Sequence, residues 1–250
     1  MISGFTFVHN AIKAGIPIRE SIGAVSPYVD EVVVVDASSD DGTRELLRSL
    51  DVRCDMTTIP ADWGTDGGET LKRLHAMHTE CKHDTILHFE ADEVFDYNLI
   101  QAITTEPRGG NMYSQVLVYR LQIEQNFQRI RWHPELVHRV FKKGSVVKDG
   151  HTTNIHNEVE IMNIKGYLWD VTNCFRDNWL DRVDQQAELR KDTETPEPNY
   201  MMTPLHCAHA SELTRERAIE RLKEDHWRWT ETPLNIPDIL KPLVGMTKYE

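Results

Sequence analysis

Cysteine is scarce: Cys54, Cys81, Cys174 and Cys207 are the four in 250 residues, with no C-x-x-C spacing among them. That is too few to staple a small secreted domain, and it points to a reducing compartment. Long apolar runs are also missing, since nothing approaches the roughly 18 consecutive residues of a membrane span. The opening Met1 to Val8 has no basic n-region and is too short for a signal core, so it is expected to be the first strand of a cytoplasmic protein. There is no Walker-type glycine loop and no G-x-G-x-x-G after the first apolar run, so any phosphate must be held by other means. Basic residues are outnumbered 28 to 40, for a net charge of −12. Such a chain repels long polyanions, which disfavours nucleic acid as a partner. No internal repeat, heptad or low-complexity tract is present.

What is present in the first hundred residues is an alternation of short β-rich runs with helix-like segments, the pattern of an α/β fold with a mainly parallel central sheet. Ile2 to Val8 reads as a strand and Ile18 to Val25, after Pro17, as a helix. Glu31 to Val35 is an unbroken β-branched run, as expected of a strand covered on both faces, with Asp36 at its end. Asp40-Asp41-Gly42-Thr43 opens a helix through Leu50, Asp51 to Ile59 is a third strand, and Glu69 to Lys82 a longer helix. Thr85 to Phe89 is the fourth strand. Further on, Ser114 to Gln122, Leu136 to Phe141 and Glu158 to Ile164 read as strands, and Trp179 to Lys191 and Thr214 to Trp229 as helices. One core fits this length, divided into a catalytic domain over 1–172 (a ligand-binding half 1–96 and a second half 97–172) and a helical extension over 173–250.

The fourth strand runs directly into Glu90-Ala91-Asp92-Glu93. Ligands of open α/β sheets bind just beyond strand ends, and folding alone does not call for three acids in four positions there. Crowded carboxylates need a counterion, which Mg²⁺ or Mn²⁺ supplies while also taking up substrate phosphate oxygens. Capping of a following helix by Glu90 and Glu93 is the plainer alternative.

Taken with Phe5-Thr6-Phe7-Val8-His9-Asn10 and Val35-Asp36-Ala37-Ser38-Ser39-Asp40-Asp41-Gly42-Thr43, the acidic segment gives an ordered trio that resembles the family-2 glycosyltransferases of the GT-A fold. The resemblance covers roughly residues 2 to 96. It implies a GT-A-type nucleotide-diphospho-sugar transferase fold and transfer of a sugar, from a UDP-sugar by preference, to an acceptor hydroxyl. By position, Phe7, Val8 and Asn10 would line the nucleotide pocket, and Asp36 or Asp40 would accept hydrogen bonds from base or ribose. Arg73, preferred over Lys72 for its bidentate fork, would face the diphosphate. Asp92 would ligate the metal directly; Glu90, which stands where the family commonly has Asp, would act through water or on the donor sugar. His206, in Pro204-Leu205-His206-Cys207-Ala208-His209, is the candidate third ligand.

Inverting transfer needs a base, and Glu135 and Glu158 are the acids with strand-edge placement; Glu135 ranks first because Arg129, Arg131 and Arg139 would keep it ionised. Trp63, before Gly64 and Gly67-Gly68, is the aromatic expected near the donor. Two readings compete. A metal phosphoesterase would use the acids with His206, His209, His151 and His156, and a non-catalytic carbohydrate-binding protein would bind a nucleotide sugar without turnover. The acceptor is not written in the sequence: a glycan, a small molecule, a protein or a modified nucleobase would all suit the same donor half.

Overall fold

The computed structural model describes residues 1–50, 52–57, 73–105, 115–124, 129–131, 135–144, 159–161, 168–173, 181, 229–231, 237–244 and 246. Its centre is a block of four parallel strands. β1 (Ile2–Val8) lies between β2 (Glu31–Ala37) and β4 (Thr85–His88), and β3 (Arg53–Thr57) pairs with the outer side of β2. All four therefore deliver their carboxyl ends to one edge. The other strands extend this sheet in mixed sense through β5 (Glu93–Phe95), β6 (Gln115–Glu124), β7 (Arg129–Arg131), β8 (Glu135–Lys142), β9 (Val159–Ile161), β10 (Leu168–Asn173) and β11 (Trp229–Glu231). The sheet is thus parallel at its centre and mixed beyond β4, where β8 joins antiparallel.

Side-chain alternation explains the layers. Val32 and Val34 pack with Val8, Ala11, Ile18, Ile22 and Leu47 on one face, while Val33, Val35 and Ala37 pack with Phe5, Leu74, Ile86 and Phe141 on the other. An uninterrupted valine run is what a strand buried on both faces requires, and each such side chain removed from water contributes about 1.5–3 kcal/mol. The first face carries α1 (Ala11–Ala14), α2 (Ile18–Val25) and α3 (Thr43–Arg48). The second is covered by a helical turn over 73–76 that tightens into a 3-10 turn, Met77–Glu80.

Several boundaries differ from the sequence expectation. β2 continues to Ala37, so Asp36 lies inside the strand rather than after it. The helix expected over 69–82 ends by Glu80, since Cys81 is already extended. Glu90 and Glu93 do not cap a helix: Glu93 opens β5, and the next helix, α4 (Tyr97–Thr105), is capped by Asp96, whose Oδ1 accepts from the Asn98 N–H at 2.9 Å. Trp229 does not end a helix but begins β11, which pairs antiparallel with β7. The 3-10 turn Asp238–Leu243 returns to the core and sits on α2, where a Cβ at Gly23 would come within 2.9 Å of Ile239 Cδ1. No helix among the described residues is long and apolar enough to cross a membrane.

Candidate functional site

Three loops meet at the carboxyl edge of the parallel block. The first two, after β1 and β2, are fastened by a polar relay. His9 Nδ1 donates to the Ala37 carbonyl at 2.7 Å, leaving Nε2 to accept from Asn10 Nδ2 at 3.2 Å. Asn10 Oδ1 then accepts the Asp40 N–H at 2.8 Å, and the Asn10 N–H donates to Ser39 Oγ at 2.8 Å. Asn10 and Ser38 take left-handed φ values of 50° and 60°. Such conformations are uncommon for residues other than glycine and persist where surrounding bonds over-determine them.

Asp36 is fully buried, with Oδ1 accepting the Ser39 N–H at 3.1 Å and Oδ2 accepting Arg44 Nε at 2.8 Å. That contact in turn raises the guanidinium pKa of Arg44 above its ordinary value. Asp41, just before the Gly42 N-cap, fastens the turn into α3: its carboxylate accepts from the Thr43 N–H, the Thr43 hydroxyl and the Lys13 N–H. Burial pushes the Asp41 carboxyl up, but these bonds outweigh it and hold it below its usual range. Gly42, at φ 95°, gives the turn into α3 a backbone that a side chain would strain. Asp40 is exposed and held through its backbone.

The third loop carries the acids. Arg139 of β8, 1% exposed, donates through Nε to Glu93 Oε2 at 2.7 Å and through its NH2 group to Glu93 Oε1, and it reaches Glu90 Oε1 at 3.0 Å. Glu93 Oε2 also accepts the Glu90 N–H at 3.0 Å, and the Glu93 N–H donates to the Glu90 carbonyl, closing the turn. The premise that a metal must be the counterion of these acids is therefore corrected: the fold supplies a guanidinium for two of the three. Asp92 is partly exposed on the same turn. These are hard oxygen donors and suit Mg²⁺ or Mn²⁺. Among the described residues no three His, Cys, Asp or Glu side chains converge as a metal site.

Beneath this turn lies an aromatic layer. His88 stacks near Phe7 (centroids 6.1 Å apart) and meets His75 edge-on at 4.8 Å, with Phe5 and Phe141 around it. His88 Nε2 has no hydrogen-bond partner among the described residues. Burial, then the nearby His75 and Arg139, pushes its pKa well below the ordinary value. His78 is neutral for the same first reason, its Nδ1 donating to the His75 carbonyl and Nε2 accepting the Gly144 N–H. Unfolding frees both rings to protonate near pH 6.5, so the stability gained by keeping them neutral is complete above about 6.5 and is lost as pH falls below it. The melting temperature is expected to hold between pH 7 and 8 and to drop below 6.5. His88→Phe, which removes the unpartnered nitrogen, should flatten that decline when melting is followed from pH 7.5 to 5.

Of the residues expected from sequence, Asn10, Asp36 and Asp40 come together, and Glu90 and Asp92 share the adjacent turn. Phe7 and Val8 point to opposite faces: Phe7 meets the histidines, while Val8 is 3% exposed in the helical-face cluster and has only its backbone to offer. Arg73 is exposed at the start of the turn over 73–76. Glu135 opens β8 opposite Arg120. The reason for ranking it first is corrected in part, because the guanidinium of Arg139 is turned to Glu90 and Glu93. Trp63, Glu158 and His206 lie outside the described residues. The buried roles of Arg139 and Glu93, and the role of Asp41 in the turn, were not assigned from sequence. The one available signal for Arg139 was its place in a strand flanked by the apolar pairs Leu136-Val137 and Val140-Phe141.

No protein-family model matches the chain, and no curated protein matches it. Among solved structures it is similar to Staphylococcus aureus TarS, at 12% identity and a TM-score of 0.47, over 80% of this chain and 41% of that one. A TarS 1–349 structure in complex with UDP is similar at 10% identity and a TM-score of 0.49, over 80% of this chain and 68% of that one. Mycobacterium tuberculosis glucosyl-3-phosphoglycerate synthase, in complex with Mn²⁺, UDP and glucosyl-3-phosphoglycerate, is similar at 20% identity and a TM-score of 0.33, over 48% of this chain and 44% of that one. The chain thus spans less than half the length of full TarS and of the synthase.

Proposed function

We propose that this chain is a glycosyltransferase of the GT-A type, moving a sugar from a nucleotide diphosphate to an acceptor hydroxyl with inversion and with a divalent metal. The observation that carries the reading is the convergence, at one edge of the parallel block, of the Asn10 loop, the 36–41 loop and the acidic turn at 90–93. Without a glycine loop, phosphate needs a cationic or metal grip, and the acidic turn is where hard oxygen donors are presented.

In this scheme the backbone at Val8 to Asn10 and the exposed Asp40 receive the nucleoside. Asp36, whose two oxygens are already engaged, shapes the loop that does so. Asp92 ligates the ion directly and Glu90 acts through water or on the donor sugar, with His206 as a further ligand, and Arg73 and Trp63 attend the diphosphate and sugar. A bound divalent cation would supply charge neutralisation on the departing nucleotide diphosphate. Glu135 is the preferred base over Glu158. β8 runs antiparallel to β4 with Leu87 opposite Val140, so its amino end carries Glu135 out past the acidic turn. The second half, 97–172, and the extension over 173–250 complete the acceptor side. A cytoplasmic setting accords with Cys54 and Cys81 as free thiols.

The test is binding of nucleotide sugars with Mn²⁺ and with chelator, UDP-linked donors first because UDP is the nucleotide in two of the similar structures. Release of free phosphate from model esters without any sugar would instead favour the phosphoesterase, and metal-independent binding without turnover the carbohydrate-binding protein.

A further inference from the structure

Arg139 occupies an irregular place in its strand. β6 and β8 pair Val116 with Val140 but Leu117 with His138, so the ladder shifts register there and Arg139 is the extra residue. Bulges of this kind re-aim a side chain and recur beside functional sites. Here the bulge sits one step beyond the pairing of Leu87 with Val140, level with the end of β4 where the acidic turn begins. Its guanidinium takes both oxygens of Glu93, which is fully buried, and one oxygen of Glu90, which is 29% exposed.

Resting on the proposed function, we infer that Arg139 is the positioning residue of the acidic turn. Bulged out of its ladder, it locks Glu93 as a buried brace and fixes the Glu90 carboxylate, so that the turn holds Asp92 in one position for a divalent ion. Lysine in its place would keep the charge and lose the planar fork that grips two carboxylates at once. An apolar replacement of Arg139 and Glu93 together would remove the brace without leaving a buried charge unpaired, which keeps the protein folded.

The experiment compares the wild type with Arg139→Lys and with the double variant Arg139→Met/Glu93→Leu. Two quantities are read: amide hydrogen exchange at residues 90–93 without ligand, and Mn²⁺ affinity in the presence of UDP, followed by the electron-spin signal of free Mn²⁺. Exchange at Glu90 and Glu93, whose N–H groups close the turn, is expected to rise at least ten-fold in both variants, and Mn²⁺ affinity to fall at least ten-fold while the melting transition stays cooperative. Folded variants with wild-type exchange in the turn, or with Mn²⁺ affinity within two-fold of wild type, would overturn the assignment. The exchange readout needs neither metal nor nucleotide. A wild type that binds no Mn²⁺ with UDP would contradict the proposed function, while faster exchange in the variants would still establish the brace.

Discussion

Asp92→Asn is expected to lower Mn²⁺-dependent donor binding and turnover by at least about 100-fold, close to 2.7 kcal/mol of lost stabilisation, while leaving the melting temperature within a degree or two. The two halves of that expectation have one cause. Asp92 is partly exposed on a turn closed by its neighbours, through the Glu90 N–H on Glu93 and the Glu93 N–H on the Glu90 carbonyl. Removing its charge therefore leaves the brace from Arg139 intact. Asparagine keeps the shape and one oxygen but not the anionic donor that a hard cation needs. Calorimetric titration of the donor with and without Mn²⁺, alongside thermal melting, separates the two quantities; unchanged turnover in this variant would remove the metal role from the turn.

Asp36→Asn should behave in the opposite way, with stability falling first. The carboxylate is fully buried inside β2, and replacing it leaves Arg44 Nε facing an amide while the Ser39 N–H keeps a weaker acceptor. Arg44 is partly exposed and can turn to water, so the loss is that of charge-assisted hydrogen bonds to a buried carboxylate. For a chain of this size that lowers the melting temperature by roughly 5 °C. Donor affinity measured well below the new melting point should fall less than in Asp92→Asn. A large loss of affinity with unchanged melting would show instead that Asp36 meets the nucleotide directly, as the family resemblance alone implied.

The contrast between these two aspartates shows what the sequence could and could not convey. Both stood at strand ends in ordered motifs, and both were legible as members of a site. What the sequence did not convey is the long side chains arriving from elsewhere: Arg44 from α3 onto Asp36, and Arg139, 46 and 49 residues along the chain, onto Glu93 and Glu90. The parallel core was readable because its evidence is local. Ile2–Val8 and Ile18–Val25 fall where expected, the first an apolar run, the second a helix behind Pro17.

Segments decided by pairing were not readable. Glu93–Phe95 is too short to announce itself as a strand, and its acids look like the first turn of a helix. Trp229 was expected to end a helix on local periodicity, yet its partner β7 draws it into the sheet, since strand formation depends on cross-strand neighbours more than on intrinsic preference.

Together the three loops are proposed to form one metal-dependent nucleotide-sugar site. Its most direct test is the thermal shift of the wild-type protein with a panel of UDP-, GDP- and dTDP-sugars, each measured with Mn²⁺ and again with excess chelator. One class of donor, UDP-linked first, is expected to raise the melting temperature in Mn²⁺, and chelator to abolish the rise. No stabilisation by any nucleotide sugar, or the same stabilisation with chelator present, would contradict it.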